Sequence, residues 1–224
     1  MIPNIMVLQS KNMTKEDSGL MARVTKRTLQ AKETKKLIYE HATRLIREKG
    51  FNNVLVEDIT TAAGVSVGAF YYYFKSKEDI VLMWADDLDD HYVEYYEREM
   101  EKKPRKNSLE ILEGIINLSM KMYCELGRDF ATISYSYIMR NTEANERYSS
   151  YFRVYRQIVR GLINEGQAVN HIRNDIPLEN LVQNFYKATR GGIMDWCCSG
   201  GDEDIVEYTH YFLRCFIDGL RPPQ

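Results

Sequence analysis

A chain of 224 residues, 44% hydrophobic and 28% charged, can bury a sizeable core as one large domain or two small ones. It holds no run of about 18 apolar residues and no charged start followed by an apolar stretch and cleavage site, so a cytoplasmic protein is expected rather than an inserted or exported one. The net charge of -2 hides an asymmetry, 13 basic against 9 acidic residues over 1–79 and 17 against 23 over 80–224, so the two ends are expected to meet different partners.

Residues 1–25 are polar and irregular and predict a disordered arm that delivers Lys26 and Arg27 to the first helix. From about Leu29 to Lys49, apolar residues such as Leu37, Ile38, Ala42, Leu45 and Ile46 recur at helical steps, and Gly50 stops the pattern. Val56 to Ala63 predicts a short helix ended by Gly64, after which Ser66 caps a second short helix beginning at Val67. Two short helices joined by a glycine turn make a helix-turn-helix.

A longer helix is expected from Lys77 or Glu78 to about Lys102, stopped by Pro104. Asn107 with Glu110 forms a capping-box pattern for a helix reaching Leu126 or Gly127. Further helices are expected over Asp129–Arg140, Ala144–His171, Pro177–Cys198 and Asp202–Leu220. The fold class is therefore all-α, about nine helices, with a small basic N-terminal unit and a larger C-terminal bundle. Cys124, Cys197, Cys198 and Cys215 make no disulfide framework and read as reduced thiols.

The segment AAGVSVGAFYYYFKSK, residues 62–77, sets five consecutive aromatics into little more than one helical turn. Phe70 and Phe74 stand four apart and share a face with Val65 and Ile59, so those rings are assigned to the core. Tyr71, Tyr72 and Tyr73 lie on other faces, where a phenol can reach a phosphate oxygen and a ring can pack on a sugar or a thymine methyl. Val67, Gly68 and Ala69 are small and let the helix N-terminus approach base edges closely. Lys77 adds a charge suited to clamping a phosphate backbone.

The run from Val54 to Ile80, VLVEDITTAAGVSVGAFYYYFKSKEDI, resembles the DNA-binding segment of the TetR family of bacterial transcriptional regulators. Ile59, Ala63, Gly64, Val65, Ser66, Gly68, Tyr71, Tyr73, Phe74 and Lys77 fall on the family pattern without a gap. The resemblance implies DNA contacts at Val67, Gly68, Ala69, Tyr71, Tyr72 and Tyr73 and a phosphate contact at Lys77. Val54, Leu55 and Glu57 depart from the family's usual polar or basic residues, which shifts the phosphate load to Lys77, Lys75, Lys26, Arg27 and Lys32. Residues 26–76 are then a helix-turn-helix DNA-binding domain and 77–224 a ligand-binding and dimerisation domain.

The segment from Gly191 to Leu220 is similar to the last two helices of many members, which pair across a two-fold axis. Trp196, Phe212, Leu213 and Phe216 are the expected dimer contacts, and a homodimer implies a palindromic double-stranded operator. Between the two ends, the resemblance implies a pocket for a small hydrophobic or aromatic effector, expected against Trp84, Tyr92, Met120, Tyr123, Tyr135, Tyr155 and Phe185. Repression, relieved when the effector moves the recognition helices through the long helix from Lys77 to Lys102, is the implied action. No cofactor, metal or catalytic residue is expected. The alternative is an all-α, Mg²⁺-dependent isoprenoid-type enzyme, because Asp86, Asp87 and Asp90 match a DDxxD pattern. A metal clip through Asp87 and His91 is the lesser form of that reading.

Overall fold

The structure, a computed structural model, describes residues 26–102, 106–150, 153–201 and 203–223, with side chains from Leu29 onward. The arm expected over 1–25 and the side chains of Lys26 and Arg27 lie outside the described residues. Among those described there are nine α-helices and no strand: α1 (Lys26–Lys49), α2 (Val56–Ala63), α3 (Val67–Tyr73), α4 (Ile80–Glu101), α5 (Ser108–Arg140), α6 (Thr142–Ser149), α7 (Val154–Ala168), α8 (Leu178–Ser199) and α9 (Ile205–Gly219). Single 3₁₀ turns at Phe51–Asn53 and Lys77–Asp79 precede α2 and α4.

The N-terminal unit is α1 folded over α2 and α3. Gly64 ends α2 in the left-handed region at φ 65°, where a side chain would be strained, and Val65 N–H returns to Thr60 O at 3.0 Å. Ser66 caps α3 by accepting from Ala69 N at 3.1 Å. Leu55 has no acceptor with which to cap α2, but its own N–H donates to Asp58 at 2.9 Å. Ile38, Ala42, Ile46, Phe51, Val54, Ile59, Phe70 and Phe74 fill the space between the three helices.

The C-terminal unit is organised around α5, which touches α4, α6, α7, α8 and α9. Asn107 and Glu110 close the expected capping box at 2.8 and 3.0 Å. The break expected after Gly127 is a kink inside one helix: Gly127 alone has non-helical torsions, with φ 82°. The single helix expected over Ala144–His171 is two, Thr142–Ser149 and Val154–Ala168, and Arg153 stands at the N-cap of the second. There the Arg153 guanidinium grips Asp89 of α4 at 2.9 and 3.0 Å and donates to Ala85 O at 2.8 Å. No described helix is long and apolar enough to cross a membrane.

Candidate functional site

Two surfaces deserve description by residue: the face of α3 and an aromatic cavity inside the bundle. On α3, Phe70 is fully buried against Phe74, with ring centroids 5.3 Å apart. That packing turns the next two rings outward, and Tyr71 and Tyr72 are 53% and 77% exposed. Val67 and Gly68 at the start of α3 are exposed as well, while Ala69 and Tyr73 are half-buried. The helix thus presents a small apolar tip followed by two free phenols.

Lys77, expected to contact phosphate, also has partners within the chain. Its ammonium donates to Phe51 O and Val54 O, both at 2.7 Å, and lies 4.2 Å above the Phe51 ring. Partial burial pushes its pKa below the usual lysine range. Two of its three protons therefore fasten the turn before α2 to the root of α4, and its first role is to fix the head on the bundle. Lys75 and Lys32 remain exposed, with Lys75 3.2 Å from Glu143 across solvent.

The cavity lies among α4 to α8 and has a volume of about 30 Å³, room for no more than a water or two. Tyr92, Tyr123, Tyr135 and Tyr155 line it, as expected, together with Tyr148 and Tyr186. Tyr92 stacks on Tyr155 with centroids 4.3 Å apart and exchanges a hydrogen bond with Ser119 Oγ at 2.6 Å. Burial drives the phenols of Tyr92, Tyr123, Tyr135 and Tyr186 well above their ordinary pKa, so all four are neutral O–H groups at physiological pH. The hydroxyls of Tyr123, Tyr155 and Tyr186 are buried without a hydrogen-bond partner.

Three residues expected to line the cavity do not reach it. Trp84 is packed between Tyr123 and Phe130, at 4.6 and 5.2 Å, and Met120 and Phe185 are fully buried in the surrounding core. Conversely, the sequence reading missed Arg153, Arg156 and Arg190, which stand in the cavity wall. The charge of an arginine argues for the surface. Arg153 is held by Asp89, while Arg156 and Arg190 stand over rings, Arg156 at 4.6 Å from Tyr186 and Arg190 at 4.6 Å from Tyr148. The cue available was their sequence company, arginines interleaved with tyrosines at helical spacing in α7 and α8.

The expected dimer contacts also divide. Trp196 is 4% exposed, donates from Nε1 to Glu203 O at 2.9 Å and carries the Arg128 guanidinium on its ring, so it packs inside its own chain. Leu213 is buried likewise, and Phe216 is half-buried, 6.1 Å from the Phe185 ring. Phe212 alone of the four is well exposed, at 50%; Tyr211, next to it in the chain, and Met194 of α8 are exposed as well.

The acidic run of α4 is divided among structural partners. Asp86 pairs with Arg147, Asp87 accepts from the Tyr39 hydroxyl at 3.0 Å, and Asp90 is exposed. His91 turns its Nδ1 to Asp87 O at 2.8 Å rather than joining the Asp87 carboxylate in a clip. Among the described residues no three His, Cys, Asp or Glu side chains are placed to hold a metal ion. The run ties α4 to α1 and α6.

The profile described as "Bacterial regulatory proteins, tetR family" matches residues 38–83, the head and the root of α4. The fatty acid metabolism regulator protein of Bacillus subtilis is 23% identical over 192 residues, covering 82% of this chain and 93% of that protein. The HTH-type transcriptional repressor KstR2 of Rhodococcus jostii is 26% identical over 190 residues, covering 81% and 88%. In fold, the chain is similar to FadR of B. subtilis in complex with stearoyl-CoA, with TM-score 0.63, 21% identity and coverage of 83% and 99%. FadR of Thermus thermophilus in complex with lauroyl-CoA gives TM-score 0.63 at 19% identity, covering 85% and 96%.

Proposed function

From membership of the TetR family of bacterial transcriptional regulators, to which this chain belongs, we propose a repressor that grips a palindromic DNA operator as a homodimer and lets go when a small effector enters the aromatic cavity. The observation that carries the DNA-binding part is the face of α3: Phe70 and Phe74 are spent on the core, and Tyr71 and Tyr72 stand in solvent beyond a tip of Val67, Gly68 and Ala69. Few side chains there can form paired hydrogen bonds to a base. Methyl contacts, close backbone approach and DNA shape carry the sequence preference, and phosphate contacts from Tyr71, Tyr72, Tyr73, Lys75 and the arm with Lys26 and Arg27 carry much of the affinity. Exposed Phe212, Tyr211 and Met194 on α8 and α9 form the centre of the dimer face.

The effector part rests on the cavity, whose buried unpaired hydroxyls call for a polar guest and whose rings call for a flat apolar one. Selection from a random duplex pool tests the whole reading. The intact protein enriches a palindrome whose retention falls steeply with salt, and a Tyr71→Ala, Tyr72→Ala variant of equal thermal stability does not. Enrichment of no sequence at low salt by folded dimer overturns it.

A further inference from the structure

The reading of the cavity as the effector site says nothing about the effector's charge, yet the wall of the cavity does. Its thirteen lining residues include Arg153, Arg156 and Arg190 and no aspartate or glutamate. Arg153 is already neutralised by Asp89 at 2.9 Å. Arg156 spends one N–H on Ser149 O at 2.9 Å, its Nε is buried without a partner, and no described carboxylate stands within ion-pair distance of it. Arg190 has no such carboxylate either and rests on the rings of Tyr148 and Tyr186, at 4.6 and 5.8 Å. A contact with a ring uses none of the guanidinium N–H groups as hydrogen-bond donors to an oxygen, and those N–H groups are what meets a carboxylate in paired hydrogen bonds.

The neutral groups add to the same imbalance. The Thr189 hydroxyl is committed to Phe185 O at 2.9 Å, and Ser119 to Ile115 O at 3.0 Å. The buried hydroxyls of Tyr155 and Tyr186, both neutral, lack a partner beside the two uncompensated arginines. The cavity therefore offers donors and positive charge against an apolar aromatic floor, and a partly buried cation without an anion is costly.

Resting on the effector reading above, we propose that the effector is a compact organic acid with a flat apolar body. Its carboxylate lies between Arg156 and Arg190, its acceptor oxygens take the Tyr155 and Tyr186 hydroxyls, and its ring parts Tyr92 from Tyr155. Parting the rings is obligatory, because the closed cavity of about 30 Å³ admits no organic ring.

The test uses the full-length protein, with melting and calorimetric titration against phenylacetate, cinnamate and 2-naphthoate, each beside its primary amide, and against lauroyl-CoA. The acids raise Tm by roughly 5–10 °C at a hundredfold excess over Kd, and the amides do not. An Arg156→Gln, Arg190→Gln variant binds the acids about 10- to 100-fold more weakly while holding DNA as before. Should that variant fail to fold, Arg190→Lys, which keeps the charge and loses the paired geometry, weakens acids selectively. Equal binding of acids and amides, or lauroyl-CoA binding while the aromatic acids are silent, overturns the proposal, as does the absence of binding by every acid to protein that still holds DNA. Failure of intact protein to enrich any duplex is a separate result and strikes the regulator reading itself.

Discussion

The hydroxyl of Tyr137 donates to Asp79, whose other carboxylate oxygen accepts from Lys75 N–H at 2.6 Å, immediately beyond the end of α3. Two residues before Tyr137 on α5, Tyr135 lines the cavity. In the proposed repressor, a displacement of Tyr135 would be carried by one helix to the backbone that follows α3, a second path beside α4. Partial burial and the neighbouring carboxylate hold the Tyr137 phenol above its ordinary pKa, so the donor persists across physiological pH. Tyr137→Phe is expected to leave effector affinity near normal and to cut the effector's influence on DNA affinity by about 0.5–2 kcal/mol, or roughly 2- to 30-fold. DNA titrations with and without saturating effector check this; unchanged coupling would show that α4 alone transmits.

Lys77→Met separates an internal fastener from a phosphate clamp. Losing two hydrogen bonds from an ammonium to part-buried carbonyls is expected to destabilise the fold by about 2–4 kcal/mol. A pure clamp would instead leave Tm alone and reduce the salt slope of DNA binding by about one. Denaturant melts and salt-dependent titrations of the same variant distinguish the two.

Acid should weaken the junction after α4. Glu99 is 2% exposed and is held by Lys102 at 2.5 Å and Lys106 at 3.3 Å, and the hydrogen bond from Lys102 followed by that from Lys106 outweighs burial to keep its carboxyl below the usual glutamate range. A depressed folded pKa contributes stability that is complete above the unfolded value, near pH 4–5, and is lost as pH falls through the folded value. The Tm difference between the native protein and Glu99→Gln is expected to be largest at pH 7 and to shrink below about pH 4.

Gly166 on α7 marks a close approach. A Cβ there would lie 2.5 Å from Ile172 Cδ1 and 2.6 Å from Cγ1, and Ile172 is fully buried. Gly166→Ala gains about 0.5–1 kcal/mol of helix preference but pushes into a packed branch at a cost of about 1–3 kcal/mol. The net expectation is a fall in Tm of roughly 2–8 °C, read by calorimetry.

Phe212→Glu places a charge at the centre of the proposed dimer face. Sedimentation is expected to shift from dimer to monomer, with operator affinity down by about 100-fold or more as the second half-site contact is lost. A variant that stays dimeric would move the interface elsewhere.

The head was legible in the sequence because its signals are local. Gly64, Ser66 and the four-residue spacing of Phe70 and Phe74 act within a turn or two, and the structure puts each where that spacing predicts. The bundle was legible in its helices but not in its interruptions. No proline or glycine separates α6 from α7, and the N-cap residue of α7, Arg153, is bound to Asp89, 64 residues earlier. The cavity was half legible: tyrosines suggested it, yet whether a given aromatic lines a wall or stands behind it depends on tertiary neighbours, as Trp84 and Phe185 show. The arginines were hidden for the same reason, since a guanidinium laid on a tyrosine ring looks like any surface charge in a linear sequence.

The kink at Gly127 gives the cavity a mechanical setting. Tyr123 and Tyr135 stack with centroids 6.2 Å apart, one on each side of the only residue in α5 whose torsions leave the helix. A guest that parts Tyr92 from Tyr155 in the same cavity and displaces either Tyr123 or Tyr135 would therefore lever against a fulcrum rather than against a rigid bar. The short arm of that lever holds Tyr137, so in the proposed repressor an opened cavity would be felt as a swing of the backbone that follows α3.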